Sequence, residues 1–267
     1  MIPNETTISS KTNARVKQLR GAFAGNARLS EGLVAIEGEH LVEEAIRSGV
    51  TLKTVFVGGR KPAPAGLPPE TELLRLTDDT FVSAVETSSP QGIAALMVPP
   101  VHRLEDLLKV AAPLIVIACG LQDPGNLGAL IRSAEAFGAA GLLTTAGTVS
   151  AWNQKALRSG AGSTLRLPVV PTTVEQVREL KHKRVRLLAA VGSSNDAVDA
   201  HDVDLHGPCA VMIGNEGAGL SDEWMAMSDA RVTIPCPGPV ESLNAAVAGS
   251  LLLYEASRQR SASKEVG

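Results

Sequence analysis

Aromatic side chains are scarce. Phe, Tyr and Trp together make up 3% of the 267 residues, so the core must be built from Ala, Val, Leu and Ile. The same scarcity argues against base-stacking platforms as the main mode of any nucleic-acid binding. Only three cysteines occur, Cys119, Cys209 and Cys236, far apart in the chain. An odd number with no close pair excludes a disulfide framework and a CxxC metal knuckle. No apolar run approaches the roughly 20 residues needed to cross a bilayer. The first twenty residues hold no apolar signal core, so a reducing, cytoplasmic setting is expected. Net charge is small, −3, which excludes a uniformly basic nucleic-acid-binding protein but not a local basic face. Neither G-x-G-x-x-G nor G-x-x-x-x-G-K-[ST] is present, and no internal repeat is visible.

What is present is an alternation of apolar runs and amphipathic stretches. A shift in composition at Pro99-Pro100 divides the chain into two expected domains, residues 1–100 and 101–267. In the first, LVAIEG, KTVFVGG, ELLRL and GIAALMV read as strands. HLVEEAIRSG reads as a helix stopped by Gly49, and Thr77 as the N-cap of a helix over 78–85. In the second, PLIVIACG, GLLTT, RVRLLAAVG, CAVMIGNEG and RVTIPC read as strands. LGALIRSAEAFG, AWNQKALRSG, VEQVRELKHK and SLNAAVAGSLLLYEASRQR read as helices. Continuously apolar strands alternating with helices predict an α/β fold. Its mostly parallel sheet is covered on both faces, and a smaller α/β domain precedes it.

Three polar segments follow strands. In LQDPGNLGALIRSAEAFG, Asn126, Gly128 and Arg132 span a strand-to-helix junction. Gly125 and Gly128 permit close approach of backbone to a ligand, and a new helix offers outward N–H groups. Arg132, on the first turns, would reach a phosphate or ribose. A plain βα loop with a solvated arginine fits the segment as well. In VMIGNEGAGL, Asn215 and Glu216 stand among Gly214, Gly217 and Gly219 at the C-terminal edge of a strand, the usual ligand side of such sheets. A tight turn capped by Asn and Glu fits as well. In RVTIPCPGPVESLNAAVAG, Ser242 is placed to cap a helix beginning at Leu243. That leaves Asn244 inside the first turn, where it is a poor helix former and a good hydrogen-bonding group.

In this order the three segments resemble motifs 1, 2 and 3 of the SpoU (TrmH) family, within the SPOUT superfamily. These are S-adenosylmethionine-dependent RNA ribose 2′-O-methyltransferases. LVAIEGEHLVEEAI is similar to the start of that family's L30e-like substrate-binding domain, so the resemblance covers most of the chain. It implies a C-terminal trefoil knot that forms the S-adenosylmethionine pocket, with Gly214, Ile234 and Leu243 at the matching cofactor positions. It also implies a homodimer whose active site draws on both protomers, and a reaction that needs no metal. Arg132 matches the catalytic arginine, and Asn126, Glu216, Ser242 and Asn244 would complete the polar shell. Glu216 would also favour the cationic sulfonium. The family's arginine is often described as a base for the 2′-hydroxyl. A guanidinium is a poor base, and clamping the adjacent phosphate while stabilising the alkoxide is physically easier. The L30e-like domain favours ribosomal RNA as substrate. A transfer-RNA enzyme, or a knotted RNA-binding assembly factor without catalysis, are the alternatives.

Local charge fits an RNA partner. Lys11, Arg15, Lys17, Arg20 and Arg28 crowd the first thirty residues and are the expected RNA contacts. A second run extends from Lys155 through Arg158, Arg166, Arg178 and Lys181 to Arg186, where a solvated helix face explains Arg178 to Arg186 as readily. HDVDLH (His201 to His206) matches no metal-ligand spacing and is read as a polar loop.

Overall fold

The computed structural model describes residues 7–25, 27–87, 89–194, 196–240 and 242–262. The chain divides into two compact units, Met1–Pro100 and Val101–Gly267.

The first unit holds strands β1 (Thr7–Ile8), β2 (Val34–Glu37), β3 (Leu52–Gly58), β4 (Glu72–Leu76) and β5 (Ile93–Met97). Its helices are α1 (Ala14–Phe23), α2 (Ala27–Ser30), α3 (Glu39–Arg47) and α4 (Asp78–Val82). The sheet order is β1-β4-β3-β5-β2, parallel across β1, β4 and β3 and antiparallel where β5 meets β3 and β2. Helix α1 buries Val16, Leu19 and Phe23 against Phe56, Leu76 and Leu96. Helix α4 is shorter than predicted. Thr77 holds the N-cap position but its hydroxyl donates to Thr80 Oγ1 (2.8 Å), and the helix ends at Val82, where the Ser83 hydroxyl donates to Thr80 O (2.7 Å).

The second unit is a seven-stranded, fully parallel sheet among the described residues. Its strands are β6 (Leu114–Ala118), β7 (Gly141–Thr144), β8 (Val169–Pro171), β9 (Arg186–Ala190), β10 (Val198–Asp199), β11 (Cys209–Ile213) and β12 (Ala230–Thr233). Their order is β10-β12-β9-β11-β6-β7-β8. The helices are α5 (Leu104–Leu107), α6 (Pro124–Ala136), α7 (Gln154–Gly160), α8 (Val174–His182), α9 (Asp222–Met227) and α10 (Ala245–Ala262). All five residues of β6 and of β11 are buried, as two covered faces require. Period-two alternation sorts them. Leu114, Val116, Val211 and Ile213 pack with α6 and α10, whereas Ile115, Ile117, Ala210 and Met212 pack with α5, α8 and α9. Trp224 belongs to the second of these cores. Helix α10, the longest, is still too short or too polar to cross a membrane, as is every other described helix.

Candidate active site

Parallel strands send their loops to one edge of the sheet, and the three polar segments meet there. After β11 the chain doubles back on itself. Asn215 N–H donates to Gly219 O (3.0 Å), and Gly219 N–H donates to Asn215 O (2.9 Å). A Cβ on Gly214 would stand 2.3 Å from the Gly219 carbonyl carbon, so only glycine fits. Asn215 Oδ1 accepts from Gly217 N–H and Ala218 N–H, while its Nδ2 donates to Gly120 O (2.9 Å). This turn is one wall of a cavity of about 380 Å³. Gly214, Ile234 and Leu243 all line it, as do Glu216 and Ser242. A further wall comes from Ala190, Val191, Gly192 and Ser193 at the end of β9, which the sequence reading left out. The available signal was a buried strand ending in Gly-Ser on the ligand edge. Cys236, the loop thiol, also lines the cavity.

A polar network joins the segments beside this cavity. Glu216 Oε2 accepts from Gln122 N–H (3.1 Å), and its Oε1 accepts from Asp123 N–H (2.9 Å) and Asn126 Nδ2 (3.1 Å). Burial pushes the Glu216 carboxyl up. The hydrogen bonds from Asn126, Asp123 and Gln122 together outweigh that and hold it below its ordinary value. Glu216 thus clasps the loop before α6, and both its oxygens are already turned onto N–H donors. Asn126 Oδ1 in turn accepts from Asn244 Nδ2 (3.0 Å), across 118 residues of chain.

Three local expectations are corrected. Ser242 does not cap α10; it is exposed at the cavity wall. The cap is Asn244, whose Oδ1 accepts from Ala246 N–H (2.9 Å) and Val247 N–H (3.2 Å), and the helix starts at Ala245. Helix α6 starts three residues before the predicted Leu127, because Asp123 caps it through Asn126 N–H and Pro124 pre-sets the first turn. Asn126 is therefore inside α6. Gly128 serves helix packing and not ligand approach, since a Cβ there would lie 2.3 Å from Ala156 O of α7. Arg132 consequently sits in the third turn. It is six residues past Asn126, about 120° away around the helix. It is exposed, outside the cavity lining, and no described residue pairs with it.

The expected RNA contacts divide. Arg15 pairs with Glu72 (2.9 Å), and Arg20 donates to Ser83 O (3.0 Å) and Lys11 O (3.4 Å), so both tie their unit together. Lys11, Lys17 and Arg28 are exposed. In the later run, Arg166 pairs with Glu135 (2.5 Å) and Lys181 with Asp229 (2.7 Å), and Lys155 pairs with Asp123 (2.7 Å). Asp199, His201 and Asp202 bring ligand-type atoms within 4.8 Å of one another. His201 and Asp202 are exposed, and His201 Nε2 faces Asp202 Oδ1 at 3.4 Å.

Residues 113–254 match the SpoU rRNA Methylase family, and residues 13–95 match the MRM3-like substrate binding domain. The chain is 34% identical to the 23S rRNA (guanosine(2553)-2′-O)-methyltransferase RlmP of Bacillus subtilis, over 92% of this chain and 97% of the relative. It is 30% identical to a 23S rRNA (uridine(2479)-2′-O)-methyltransferase of Streptomyces viridochromogenes, over 97% and 94%. The crystal structure of the SpoU methyltransferase AviRb from S. viridochromogenes with the cofactor AdoMet superposes with a TM-score of 0.81. That match has 29% identity and covers 93% of this chain and 98% of the other.

Proposed function

The chain belongs to the SpoU rRNA methylase family, and from that premise we propose that it methylates a ribose 2′-hydroxyl of ribosomal RNA. The observation that carries the reading is the Asn244–Asn126–Glu216 network. It fixes residues of three separate segments at the mouth of one cavity. The cavity suits S-adenosylmethionine: its size is that of a small-molecule site, and Ile234, Leu243 and Leu252 give it apolar walls beside backbone at strand ends. When bound, the cofactor supplies an electrophilic methyl carbon.

The chain's own residues position the acceptor. Glu216 and Asn126 fix the loop that opens α6, and Asn244 locks α10 to it. Arg132 grips the phosphate next to the target ribose and stabilises the negative charge that grows on the 2′-oxygen as its proton passes to solvent water. Ser242, on the cavity wall, orients the ribose. The exposed stripe Val247, Leu251 and Tyr254 on α10, at i, i+4 and i+7, supports a homodimer through this face. Arg132 is exposed on α6, outside the lining of the cavity, where it can reach RNA lying across the cavity mouth. We extend the reading to the finer fold: an L30e-like RNA-binding domain over 1–100 and a trefoil-knotted catalytic domain over 101–267. In support of the knot, Arg260 near the end of α10 donates to Leu205 O, Gly207 O and Ala112 O, binding this helix to two earlier segments.

Labelled S-adenosylmethionine should transfer one methyl group to unmodified 23S rRNA transcribed in vitro, and primer extension should stop at a single ribose. Labelling of transfer RNA with none in ribosomal RNA would move the enzyme to the alternative substrate. Labelling of neither would point to the assembly factor.

A further inference from the structure

The seam between α6 and α7 carries cations that neither the cavity nor the Glu216 network uses. Lys155, on the first turn of α7, crosses the N-terminus of α6 to reach Asp123 Oδ2 at 2.7 Å. Its path explains Gly125. A Cβ at that position would stand 3.1 Å from Lys155 Cε and 2.7 Å from Asp123 Oδ1. The carboxylate of Asp123, the α6 cap, offsets the repulsion between the Lys155 ammonium and the helix N-terminus. Lys155 remains 57% exposed and spends one of its three N–H donors on Asp123. Arg158, three residues on, is exposed, and no described residue pairs with it. Arg132 stands on the same face of α6 as Gly125, seven residues on, and is likewise exposed without a described partner. Against these three cations the seam sets Asp123, already paired, and Glu216, whose oxygens are turned inward onto N–H donors. The balance on the solvent side is positive, next to the place where the target ribose must sit.

We infer that Lys155 and Arg158 form a second phosphate-binding element, gripping the RNA backbone beside the nucleotide that Arg132 holds. The inference rests on the reaction proposed above. Lys155 acts as a point charge bridging Asp123 and a phosphate oxygen, and Arg158 as a fork on the neighbouring phosphate. Contacts of this kind fix register without reading sequence.

The test uses the full chain. Binding of in-vitro-transcribed 23S rRNA is measured between 50 and 200 mM salt for wild type, K155M, R158M, the double variant, and the charge-keeping K155R and R158K. S-adenosylmethionine affinity by calorimetry is the control for an intact cavity. Each Met variant should bind RNA more weakly and lower the slope of log affinity against log salt by about 0.7 to 0.9, one phosphate contact each. K155R and R158K should restore the slope, and cofactor affinity should not move. A double variant with the wild-type slope and affinity overturns the inference. So does a K155M protein that loses cofactor affinity while its salt slope stays, since Lys155 would then only brace α6. If wild type itself neither binds nor methylates ribosomal RNA, the function proposed above fails, and that result is separable from the variants.

Discussion

Arg132 gains its meaning from what surrounds it. The Asn126 face of α6 bonds Asn244, and Gly128 packs on α7, so helical phase leaves Arg132 on the exposed ridge between them. A structural arginine would be paired, as Arg166 is with Glu135 and Arg260 is with three carbonyls. Arg132 has no such described partner, so removing it should cost the fold little and the reaction much. Arg132→Ala should lower single-turnover methyl transfer at saturating RNA about a hundredfold or more, the cost of one preorganised electrostatic contact. Arg132→Lys should stay impaired, because an ammonium lacks the planar fork that grips a phosphate and a hydroxyl together. Thermal melts should barely shift for either. A folded Ala variant within about threefold of wild type, under roughly 1 kcal/mol of barrier, would remove Arg132 from the mechanism.

At the level of elements, the start of α10 couples folding to function through one side chain. Asn244 caps the helix with its oxygen and holds Asn126 with its nitrogen. The two jobs separate by substitution. Asn244→Asp keeps the capping oxygen and suits the helix dipole, but it sets an acceptor against Asn126 Oδ1. Asn126 cannot turn over to help, since its Nδ2 is committed to Glu216. The Asp variant should therefore keep the wild-type melting temperature and lose most activity. Asn244→Ala should lose activity and also about 0.5 to 2 kcal/mol of stability. Equal melting temperatures for Ala and wild type would show that the cap is idle. The same residue marks the limit of what the sequence discloses. The middle of the second sheet was legible because β6 and β11 are unbroken apolar runs, buried on both faces, whereas the edge strands β1, β8 and β10, of two or three residues, were too short to read. The starts of α6 and α10 were not legible, because their caps, Asp123 and Asn244, are side-chain-to-backbone bonds that leave no periodic trace. Helix α1 escaped because its three exposed cations, Arg15, Lys17 and Arg20, mask Val16, Leu19 and Phe23. The cavity positions Gly214, Ile234 and Leu243 were legible through the motif resemblance. The Asn244–Asn126 bond was not, since no local pattern relates residues 118 apart.

On the scale of the whole molecule, each unit carries its own sheet and its own core. Every residue lining the cavity lies beyond Val101, and so does the entire Glu216 network. Cofactor binding should therefore belong to the second unit alone. RNA binding should be shared: Lys11, Lys17 and Arg28 on the first unit, with Lys155 and Arg158 on the second. Two anchors on one chain raise each other's effective concentration, so loss of one weakens binding by more than its own contacts. A protein reduced to residues 101–267, first shown by circular dichroism to be folded, should bind S-adenosylmethionine with unchanged affinity. Its affinity for 23S rRNA should fall about tenfold or more, roughly 1.4 kcal/mol per factor of ten. The salt slope should fall without vanishing, because the α7 cations remain, and adding K155M and R158M to the fragment should remove most of what is left. Undiminished RNA affinity in the fragment would show that the first unit is no anchor. A zero slope before the α7 cations are removed would show that they are none either.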